Sequence, residues 1–397
     1  MRRVGVSGSC AALLALAACA TPPPPAASPP GAHGRPPSFP TSQPPAAPVA
    51  RAPVGGAAFA ALPGWEEEDH AAALRAFQAG CGVTRDPAMR QVCARARALG
   101  AGVPEGAAKQ FFQFNFVPAP LAGEGVLTGY FAPEYPARRS PEGAFTAPVR
   151  PRPSAAAFAA APPPAASGAD PVDTLLQAPA AAPPLASADR ASIEAMPAPD
   201  ALAWMRPEDL FFLQVQGSGV LLFPDGGRAK ALYAGDNGRP FVAIARPMVR
   251  AGDLPPGRAS ADGIRAWLAA HAGPQAQAVM DLDPRYVFFR LAPDDGRDPA
   301  GAAGASLPPG RALAVDPSRH AYGELYWIDA SAPVLNGAFA RYRRLALALD
   351  TGSAIHGDIR ADLYTGRGDA AGAEAGRVRH TLRLVRLVPV VSSSPGD

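Results

Sequence analysis

Apolar residues recur every three or four positions in the first stretch of the chain that is not dominated by proline and alanine. Residues 66–81 carry acidic residues first and then Leu74 and Phe77 on one face, which is the pattern of an amphipathic helix. The same spacing predicts two further helices over residues 86–99 and 105–112. The folded part is therefore expected to begin with a small group of helices.

Beyond residue 112 the pattern changes to short apolar runs separated by Gly and Pro turns, which is typical of β-strands. The predicted strands are GVLTGYFAP, LFFLQVQGSGVLLF, AKALYAG, RPFVAIA, YVFFRLA, RALAVDP, ELYWIDA, RLALALDTG and HTLRLVRLVPVV. One predicted helix, over residues 259–272, interrupts them. The pattern predicts a mainly β protein with minor helices.

Segments rich in proline and alanine divide these elements into blocks. The 397 residues include 49 prolines, about 12%, where roughly 5% is usual. Residues 19–62 are mostly Pro, Ala, Gly and Ser, and we expect them to form a disordered linker. The same composition predicts a poorly ordered insert within residues 136–190, above all near 150–185, and a shorter one at 294–306.

The overall charge and hydropathy exclude two classes of protein. The formal net charge of +3 is small for 397 residues, so a nucleic-acid binder is not expected. No apolar run of about 18 residues exists beyond the N-terminus, so no transmembrane helix is expected. The length fits two domains with linkers.

The N-terminus has the features of an export signal. Arg2 and Arg3 precede a short apolar run that ends in LAAC at Cys19. Small residues directly before a cysteine resemble a bacterial lipobox, which implies removal of residues 1–18 and a membrane anchor of lipid on Cys19. Ala20 follows, where Asp would mark retention, so we expect an outer-membrane lipoprotein on the periplasmic face. The alternative is an ordinary signal cleaved without lipidation.

Two of the four cysteines are left for the folded part of the chain. Cys10 leaves with the predicted signal, and Cys19 is the predicted lipid site. Cys81 and Cys93 then remain in an oxidising compartment, where a disulfide is one outcome and two free thiols are the other. Their spacing is not that of a CxxC metal or redox motif, so no metal site is expected.

Aspartates are prominent near the end of the chain. Asp316 and Asp350 each follow an apolar run that predicts a strand, and Asp362 lies in IRADLYTGRGD, followed by Asp369. Each one alone is readily explained as a turn residue, because Asp side chains hydrogen-bond nearby backbone. Three of them within 47 residues favour a functional site at the rim of a β-structure.

These motifs together resemble a known family. The run from AVDP through LALDTGSAIHGDIRADLYTGRGDAAGAEAG is similar to the three-aspartate "3D" domain of the MltA-type lytic murein transglycosylases. Further similarity lies in EGVLTGYFAPEY, in FFLQVQGSGVLLFPDG with YAGDNGRPF, and in DPRYVFF. The resemblance covers roughly residues 62–390, apart from the inserts.

The resemblance implies a fold of two β-rich domains with a groove between them. The main domain would be a double-psi β-barrel built from residues 63–132 and 284–391, and the smaller one a β-domain inserted as residues 133–283. It also implies an enzyme whose partners are the glycan strands of peptidoglycan. Such an enzyme breaks the β-1,4 bond between N-acetylmuramic acid and N-acetylglucosamine and leaves a 1,6-anhydromuramoyl end. We expect a monomer that uses no cofactor.

One carboxylic acid is sufficient for that chemistry. The nucleophile is the sugar's own C6 hydroxyl, so no second carboxylate is needed to activate water. By resemblance the catalytic acid, which then acts as base, is Asp362. Asp350 and Asp316 match the family's other two aspartates, and we expect them to orient the site through hydrogen bonds to backbone or to Thr351.

Sugar-binding residues are also implied by the resemblance. The matching positions are Thr128, Gly129 and Tyr130 in TGYF, and Gln214, Gln216, Gly217 and Ser218 in QVQGSG. Alternation along a strand would place the two glutamines and the serine on one face of a cleft. The alternative is a solvated strand face with a glycine bulge.

The chain departs from the family pattern at a few positions. His320 begins HAYG where the family has a stretch like IPLG, Ser353 replaces a glycine, and His356 replaces a common lysine. The histidine at 356 is expected to make the local charge more dependent on pH. Asp369 follows a Gly-rich turn and is expected to be a helix N-cap.

Three other functions remain open on the sequence alone. A non-catalytic glycan-binding lipoprotein would use the same barrel, since fold does not imply activity. A hydrolase would need a second carboxylate, for which Glu124 and Asp369 are candidates. A purely structural lipoprotein would account for the signal and the linker but not for the motifs.

Overall fold

The computed structural model describes residues 56–154, 188–333 and 341–390. The predicted signal, Cys19 and most of the predicted linker lie outside the described residues, as does the central part of the predicted insert, residues 155–187. Within the described part, no helix is long and apolar enough to cross a membrane.

The described residues form helices and strands in both halves of the chain. The helices are α1 Gly56–Ala60, α2 His70–Gly80, α3 Pro87–Ala98, α4 Glu105–Asn115, α5 Arg190–Glu194, α6 Pro207–Gln216, α7 Ala245–Ala251, α8 Ala261–Ala270, α9 Pro274–Met280 and α10 Gly368–Ala375. The strands are β1 Phe116–Pro120, β2 Gly125–Ala132, β3 Glu134–Pro136, β4 Ala147–Val149, β5 Ala203–Met205, β6 Gly219–Leu222, β7 Arg228–Asp236, β8 Val287–Pro293, β9 Ala312–Ala314, β10 Leu325–Pro333, β11 Tyr342–Asp350, β12 Arg360–Arg367 and β13 Arg379–Pro389.

The three helices predicted at the start of the folded part are confirmed as α2, α3 and α4. The side chains of Asp69 and Asp86 cap α2 and α3, because each accepts a hydrogen bond from a backbone N–H of the first turn. The linker prediction is wrong for its last residues, since α1 forms there. Phe59 of α1 is fully buried, with its ring centroid 4.5 Å from that of Trp65, so this segment does bury apolar surface.

A disulfide joins two of these helices. Cys81, just after α2, is bonded to Cys93 in α3, with 5.6 Å between their Cα atoms. Of the two outcomes left open by the sequence, the paired one is therefore found. The helical layer packs its apolar side, including Phe77 and Phe112, against outward-facing side chains of the β-structure such as Trp327.

Six strands close into a barrel in the order β13-β10-β11-β9-β12-β2, with β2 returning to β13. The pairs β11–β9 and β12–β2 are parallel, and the other pairs of the barrel are antiparallel. The closed, mainly β architecture confirms the expected fold class, and its topology is consistent with a double-psi barrel. Leu127, Leu313 and Leu363 fill the interior, whereas Leu347 and Tyr364 face outward.

Between β2 and β9 the chain forms a second body with its own core. A four-stranded sheet in the order β3-β6-β7-β8 and the β4–β5 pair pack with helices α5 to α9. Helices are as prominent here as strands, so this body is α+β rather than the β-domain expected. Strand β8 pairs with β7, so the return to the barrel comes near residue 294 instead of 284.

Three local predictions are wrong. QVQGSG is not a strand but the end of α6 and the residues that follow it. Six of the ten α6 side chains are buried, so the helix shows no readable period. RPFVAIA is irregular up to α7, where Pro240 has no N–H for a strand ladder. Residues 136–154 were expected to be poorly ordered, but they include β4, which pairs with β5.

Candidate active site

One row of side chains crosses five neighbouring strands on the outer face of the barrel. In register, Asp350 on β11 lies beside Ala314 on β9, and Ala314 lies beside Asp362 on β12. Asp362 in turn lies beside Thr128 on β2, and Thr128 lies beside Arg379 on β13. Residues that are directly paired across strands point to the same face. The row therefore brings two carboxylates, a hydroxyl and a guanidinium together, with the small Ala314 between the acids.

Asp350 belongs to this row because of a β-bulge. The pairing of β11 with β9 skips Leu349, so that Ala348 opposes Leu313 and Asp350 opposes Ala314. Without the extra residue, alternation would direct Asp350 toward the barrel interior, as it does Ala348. The bulge thus brings the second carboxylate onto the face that carries Asp362.

Asp362 is partly buried and is held by a short hydrogen bond. The Thr128 hydroxyl donates to its Oδ1 at 2.6 Å. Burial raises the pKa of the Asp362 carboxyl above its usual value, and the nearby charge of Asp350 raises it further, while the Thr128 hydrogen bond and Arg360 act in the opposite direction. The net effect favours the protonated form that a general acid needs.

Asp350 is fixed from two sides. The Tyr130 hydroxyl donates to Oδ2 at 2.8 Å, and the backbone N–H of Ala302 donates to Oδ1 at 2.8 Å. Burial raises the pKa of Asp350 in spite of these donors. Burial and the Asp350 charge also raise the pKa of Tyr130, so its hydroxyl keeps the proton that it donates. Ala302 belongs to the predicted loop 294–306, which therefore contributes to the site.

Asp316 lies outside the row and has a supporting role. It accepts hydrogen bonds from the backbone and the hydroxyl of Ser318, at 2.9 and 2.6 Å, and from the Gly357 N–H at 2.8 Å. Burial raises its pKa, but these hydrogen bonds outweigh it and leave the pKa below the usual value. Asp316 therefore stays ionised and ties its own loop to the loop that joins β11 to β12. Thr351 bonds instead to the Val315 carbonyl, at 2.9 Å.

His320 supports the same loop. It is buried, and its Nδ1 and Nε2 lie 2.8 Å from the Tyr326 hydroxyl and 3.0 Å from the Asp358 carbonyl. His356, in contrast, is exposed, with its Nδ1 4.0 Å from Asp316. The expected pH effect of His356 stays a prediction.

The predicted sugar-binding residues separate into two groups. Thr128 and Tyr130 contact the two aspartates, as described above. Gly129 between them is needed for packing, because a Cβ there would lie 2.9 Å from the Cα of Ala375 in α10. Gln214 is buried in the second body, where it accepts from Arg190 at 2.6 Å.

The rest of QVQGSG connects the second body to β2. Gln216 accepts a hydrogen bond from the Phe131 N–H at 3.2 Å, and Gly217 ends α6 with a φ of 83°, which favours glycine. The Ser218 hydroxyl accepts from the Tyr233 N–H at 3.2 Å. Gln214 and Gln216 belong to helix α6 and Ser218 lies beyond its end, so the three do not share one strand face. The shared polar face expected from the sequence is wrong.

The acidic residues considered as a second catalytic group are engaged elsewhere or exposed. Glu124 accepts a hydrogen bond from the guanidinium of Arg383 at 2.8 Å. Asp369 is exposed in the first turn of α10. Arg367 occupies the N-cap position, and no side chain caps the helix, so the prediction that Asp369 is the N-cap is wrong.

Sequence reasoning missed three residues near the two acids. Arg360 precedes Asp362 by two positions on the same strand face, and Arg379 ends the row. Tyr322 lies close enough to Asp350 that burial and that charge both raise the pKa of its hydroxyl. Alternation in IRADLY would have indicated strand β12, and with it the shared face of Arg360 and Asp362.

Models of two domain families match the two stretches of the chain that supply this site. The model for the MltA specific insert domain matches residues 126–290, and the model for the 3D domain matches residues 311–388. The first range takes in β2 and the second body, and the second takes in the strands that carry both aspartates.

The chain is also similar to proteins of known name. Membrane-bound lytic murein transglycosylase A of Vibrio cholerae is 33% identical over 184 residues, which are 45% of this chain and 49% of that protein. The chain spans about half the length of the curated relatives it matches. A membrane-bound lytic murein transglycosylase from Agrobacterium tumefaciens has a similar structure, with a TM-score of 0.66 and 31% identity over 83% of this chain and 96% of that one. E. coli MltA with bound chitohexaose gives a TM-score of 0.59 and 26% identity over 77% and 83% of the two chains.

The fold and the site define a protein class in which a 3D-domain barrel, with two carboxylates on one row, carries an MltA-specific insert. The chain belongs to the MltA family of lytic murein transglycosylases.

Proposed function

We propose that this protein is a lytic transglycosylase. Its substrate would be peptidoglycan, cleaved at the β-1,4 bond between N-acetylmuramic acid and N-acetylglucosamine to leave 1,6-anhydromuramoyl ends. The observation that carries the proposal is Asp362, a carboxyl group on the barrel surface whose pKa is raised by burial and whose Oδ1 is held by Thr128. The names of the relatives and the chitohexaose bound to E. coli MltA support a glycan substrate.

The first half of the reaction needs an acid. Protonated Asp362 gives its proton to the glycosidic oxygen as the bond to the anomeric carbon breaks, which leaves an ion with oxocarbenium character on the muramoyl side. Asp350, held by Tyr130 and the Ala302 N–H, is fixed within the same row. In its ionised form it supplies negative charge close to that developing cation.

The second half needs a base, and the same residue supplies it. Asp362, now ionised, accepts the proton of the muramoyl C6 hydroxyl while that oxygen bonds to the anomeric carbon. Attack within one sugar has a high effective concentration, so no water has to be positioned. The proton returns to Asp362, and no net proton is consumed. Glu124 is paired with Arg383, and Asp369 is exposed in the first turn of α10. Neither contacts Asp362 or Asp350, which supports a scheme with a single acid over one in which a second carboxylate activates water.

The substrate groove is best placed over the row of β11, β9, β12, β2 and β13. The chain leaves the barrel at the end of β2 and returns before β9, so the second body joins the barrel through strands that form this row. Gln216 of α6 bonds to the Phe131 N–H on β2, which brings the second body beside Tyr130. We further infer a lipid anchor at Cys19 on the periplasmic face of the outer membrane, in keeping with the membrane-bound names of the relatives.

The test is digestion of purified peptidoglycan by the folded part, with product masses measured by mass spectrometry. Asp362→Asn keeps the shape of the site but cannot donate the proton, and loss of a general acid costs roughly 10²–10⁴-fold in rate. Fragments lighter by one water than hydrolytic muropeptides, made by the unaltered protein and lost in the variant, are the expected result. Reducing-end fragments would show hydrolysis instead, and no fragments with retained binding would leave a glycan-binding protein.

A further inference from the structure

Two arginines flank Asp362 without a carboxylate partner among the described residues. Arg360 lies two positions before Asp362 on the same face of β12, and Arg379 lies on β13 at the far side of Thr128. Their neighbours along the barrel differ in this respect. Arg383 pairs with Glu124, and Arg386 pairs with Glu324.

Neither arginine makes a hydrogen bond or an ion pair with a carboxylate in the part of the chain that the structure describes. Among the described residues, the acceptors of the Arg360 guanidinium are backbone carbonyls, at 2.6 Å for Ala361 and 3.5 Å for Val126. Arg379 is exposed. Thr128 on β2 is in register with Arg379 on β13 on one side and with Asp362 on β12 on the other. Two strand spacings of about 4.8 Å place its Cα about 10 Å from that of Asp362, so both groups can meet one bound sugar unit and its substituent.

The charges of Arg360 and Arg379 influence each other, and of the two only Arg360 is influenced by Asp362. Burial lowers the pKa of Arg360, the charge of Asp362 raises it, and the neighbouring charge of Arg379 lowers it. Only Arg360, however, is close enough to influence the pKa of Asp362. The acid therefore does not neutralise Arg379. Two like charges that face one surface repel each other, and an anion bound between them offsets the repulsion.

We propose that Arg360 and Arg379 form a subsite for a carboxylate group of the substrate, beside the bond that Asp362 cleaves. The proposal rests on the proposed function. The sugars of peptidoglycan are themselves uncharged, so a carboxylate has two sources, the free lactyl group of muramic acid and the stem peptide attached to it. A guanidinium presents parallel N–H groups that match a carboxylate, and two of them can hold both oxygens. The subsite makes the enzyme prefer muramoyl glycans over neutral glycans of the same length.

The experiment measures binding in an Asp362→Asn background, so that no ligand is consumed. Three hexasaccharide probes separate the sources: chitohexaose, which is neutral, a peptide-free glycan with free lactyl carboxylates, and a glycan that carries stem peptides. Arg379→Gln is compared with Arg90→Gln, which removes the same charge from an exposed position of α3. Each dissociation constant is determined by calorimetry at low and at high salt.

The unaltered background is expected to bind at least one anionic glycan more tightly than chitohexaose. Arg379→Gln should weaken that binding about tenfold and leave chitohexaose within about twofold, since a hydrogen bond to a charged group contributes about 1.5 kcal/mol or more. High salt should reduce the difference. Arg90→Gln should change none of these values.

Loss confined to the peptide-free glycan assigns the subsite to the lactyl group, and loss confined to the peptide-bearing glycan assigns it to the stem peptide. Equal loss for all three probes, or no loss for any, overturns the subsite. Equal affinity of the unaltered background for neutral and anionic glycans also overturns it, while the proposed function stands. Failure to bind any glycan counts against the proposed function itself, and the subsite falls with it.

Discussion

At the scale of single residues, the proposed mechanism depends on the protonation of Asp362. A carboxyl group in water loses its proton near pH 4, so an acid catalyst at neutral pH needs a pKa raised by its surroundings. Burial supplies that effect for Asp362, and Thr128 partly opposes it by donating to the ionised form. A general acid acts in its protonated form. Activity should therefore be present below the pKa of Asp362 and be lost as the pH rises through it.

Replacing Thr128 by valine tests this sign directly. Without the hydroxyl, the ionised form of Asp362 loses a donor, so its pKa rises and the loss of activity at high pH should move to higher pH. At low pH the rate should fall by less than about tenfold, since one hydrogen bond contributes about 1 kcal/mol. The measurement is a pH–rate profile of peptidoglycan cleavage.

Thr381→Val is the matched control for that profile. Thr381 lies on β13 opposite Val126, one row away from Thr128. Both variants replace a threonine hydroxyl by a methyl group. Its profile should coincide with that of the unaltered protein. A Thr128→Val profile displaced to lower pH, or not displaced at all, would mean that Asp362 is not the group whose titration limits the rate.

At the scale of elements, the close packing of helix α10 on strand β2 depends on a glycine, Gly129. Gly129 lies between the two residues that contact the aspartates, and α10 packs directly over it. A Cβ at this position would approach the backbone of Ala375 within 3.0 Å. Backbone cannot move aside as the end of a long side chain can. The residue is therefore required by packing beside the site, although its motif first indicated sugar binding.

Gly129→Ala should destabilise the protein by about 1–3 kcal/mol, the usual cost of forcing extra volume into a packed contact. Gly106→Ala provides the comparison, because this glycine is in helix α4 and an added Cβ there meets nothing within 4 Å. It should stabilise by about 0.5–1 kcal/mol, since alanine favours helix. Urea unfolding of both variants measures the two effects, and equal or reversed signs would contradict this account.

At the scale of the whole molecule, an ionic cluster joins the barrel to the second body. Arg367 at the end of β12 binds Asp294 with both Nη atoms, at 3.1 and 2.8 Å, and also reaches Glu134 at 3.1 Å. Glu134 and Asp294 stand at the two places where the chain passes between the bodies. Arg228 of β7 binds the same two carboxylates from the side of the second body. Arg367 is on the same strand as Asp362, so the cluster links strand β12 to both connections.

Removing Arg367 should loosen this junction more than removing Arg228. The Arg367 side chain is 13% exposed and that of Arg228 is 43% exposed, so solvent screens the second much more. Arg367→Gln should destabilise by about 2 kcal/mol, less than the roughly 3–5 kcal/mol of a fully broken buried pair because Arg228 remains. Arg228→Gln should cost about 0.5 kcal/mol.

The contribution of the same ionic cluster to stability should depend on pH. The hydrogen bond from Arg367 is the first reason that the pKa of Asp294 lies well below its usual value. A carboxylate with a lowered pKa stabilises the fold above its unfolded pKa, and the stability is lost as the pH falls toward the folded pKa. Thermal unfolding between pH 7 and pH 3 should therefore show a smaller loss of stability in Arg367→Gln than in the unaltered protein. A parallel fall in both proteins would remove Asp294 from this role.

The sequence by itself determined the elements whose periods are readable and the identity of the main chemical groups. Helices α2 to α4 and most strands follow from spacing, and Asp350 and Asp362 follow from a family resemblance carried by short motifs. Helix α6 was not readable, because a helix buried on most sides shows no polar face.

Only the tertiary structure decided which groups meet. The row from Asp350 to Arg379 draws on β2, β9, β11, β12 and β13, and their order depends on pairing between strands more than 200 residues apart. The skipped Leu349 turns Asp350 to the outer face, and burial in the second body takes Gln214 away from the site. Such register and burial arise from the closing of the barrel and the packing of two bodies. Local sequence carries no record of either, because each depends on partners that are distant along the chain.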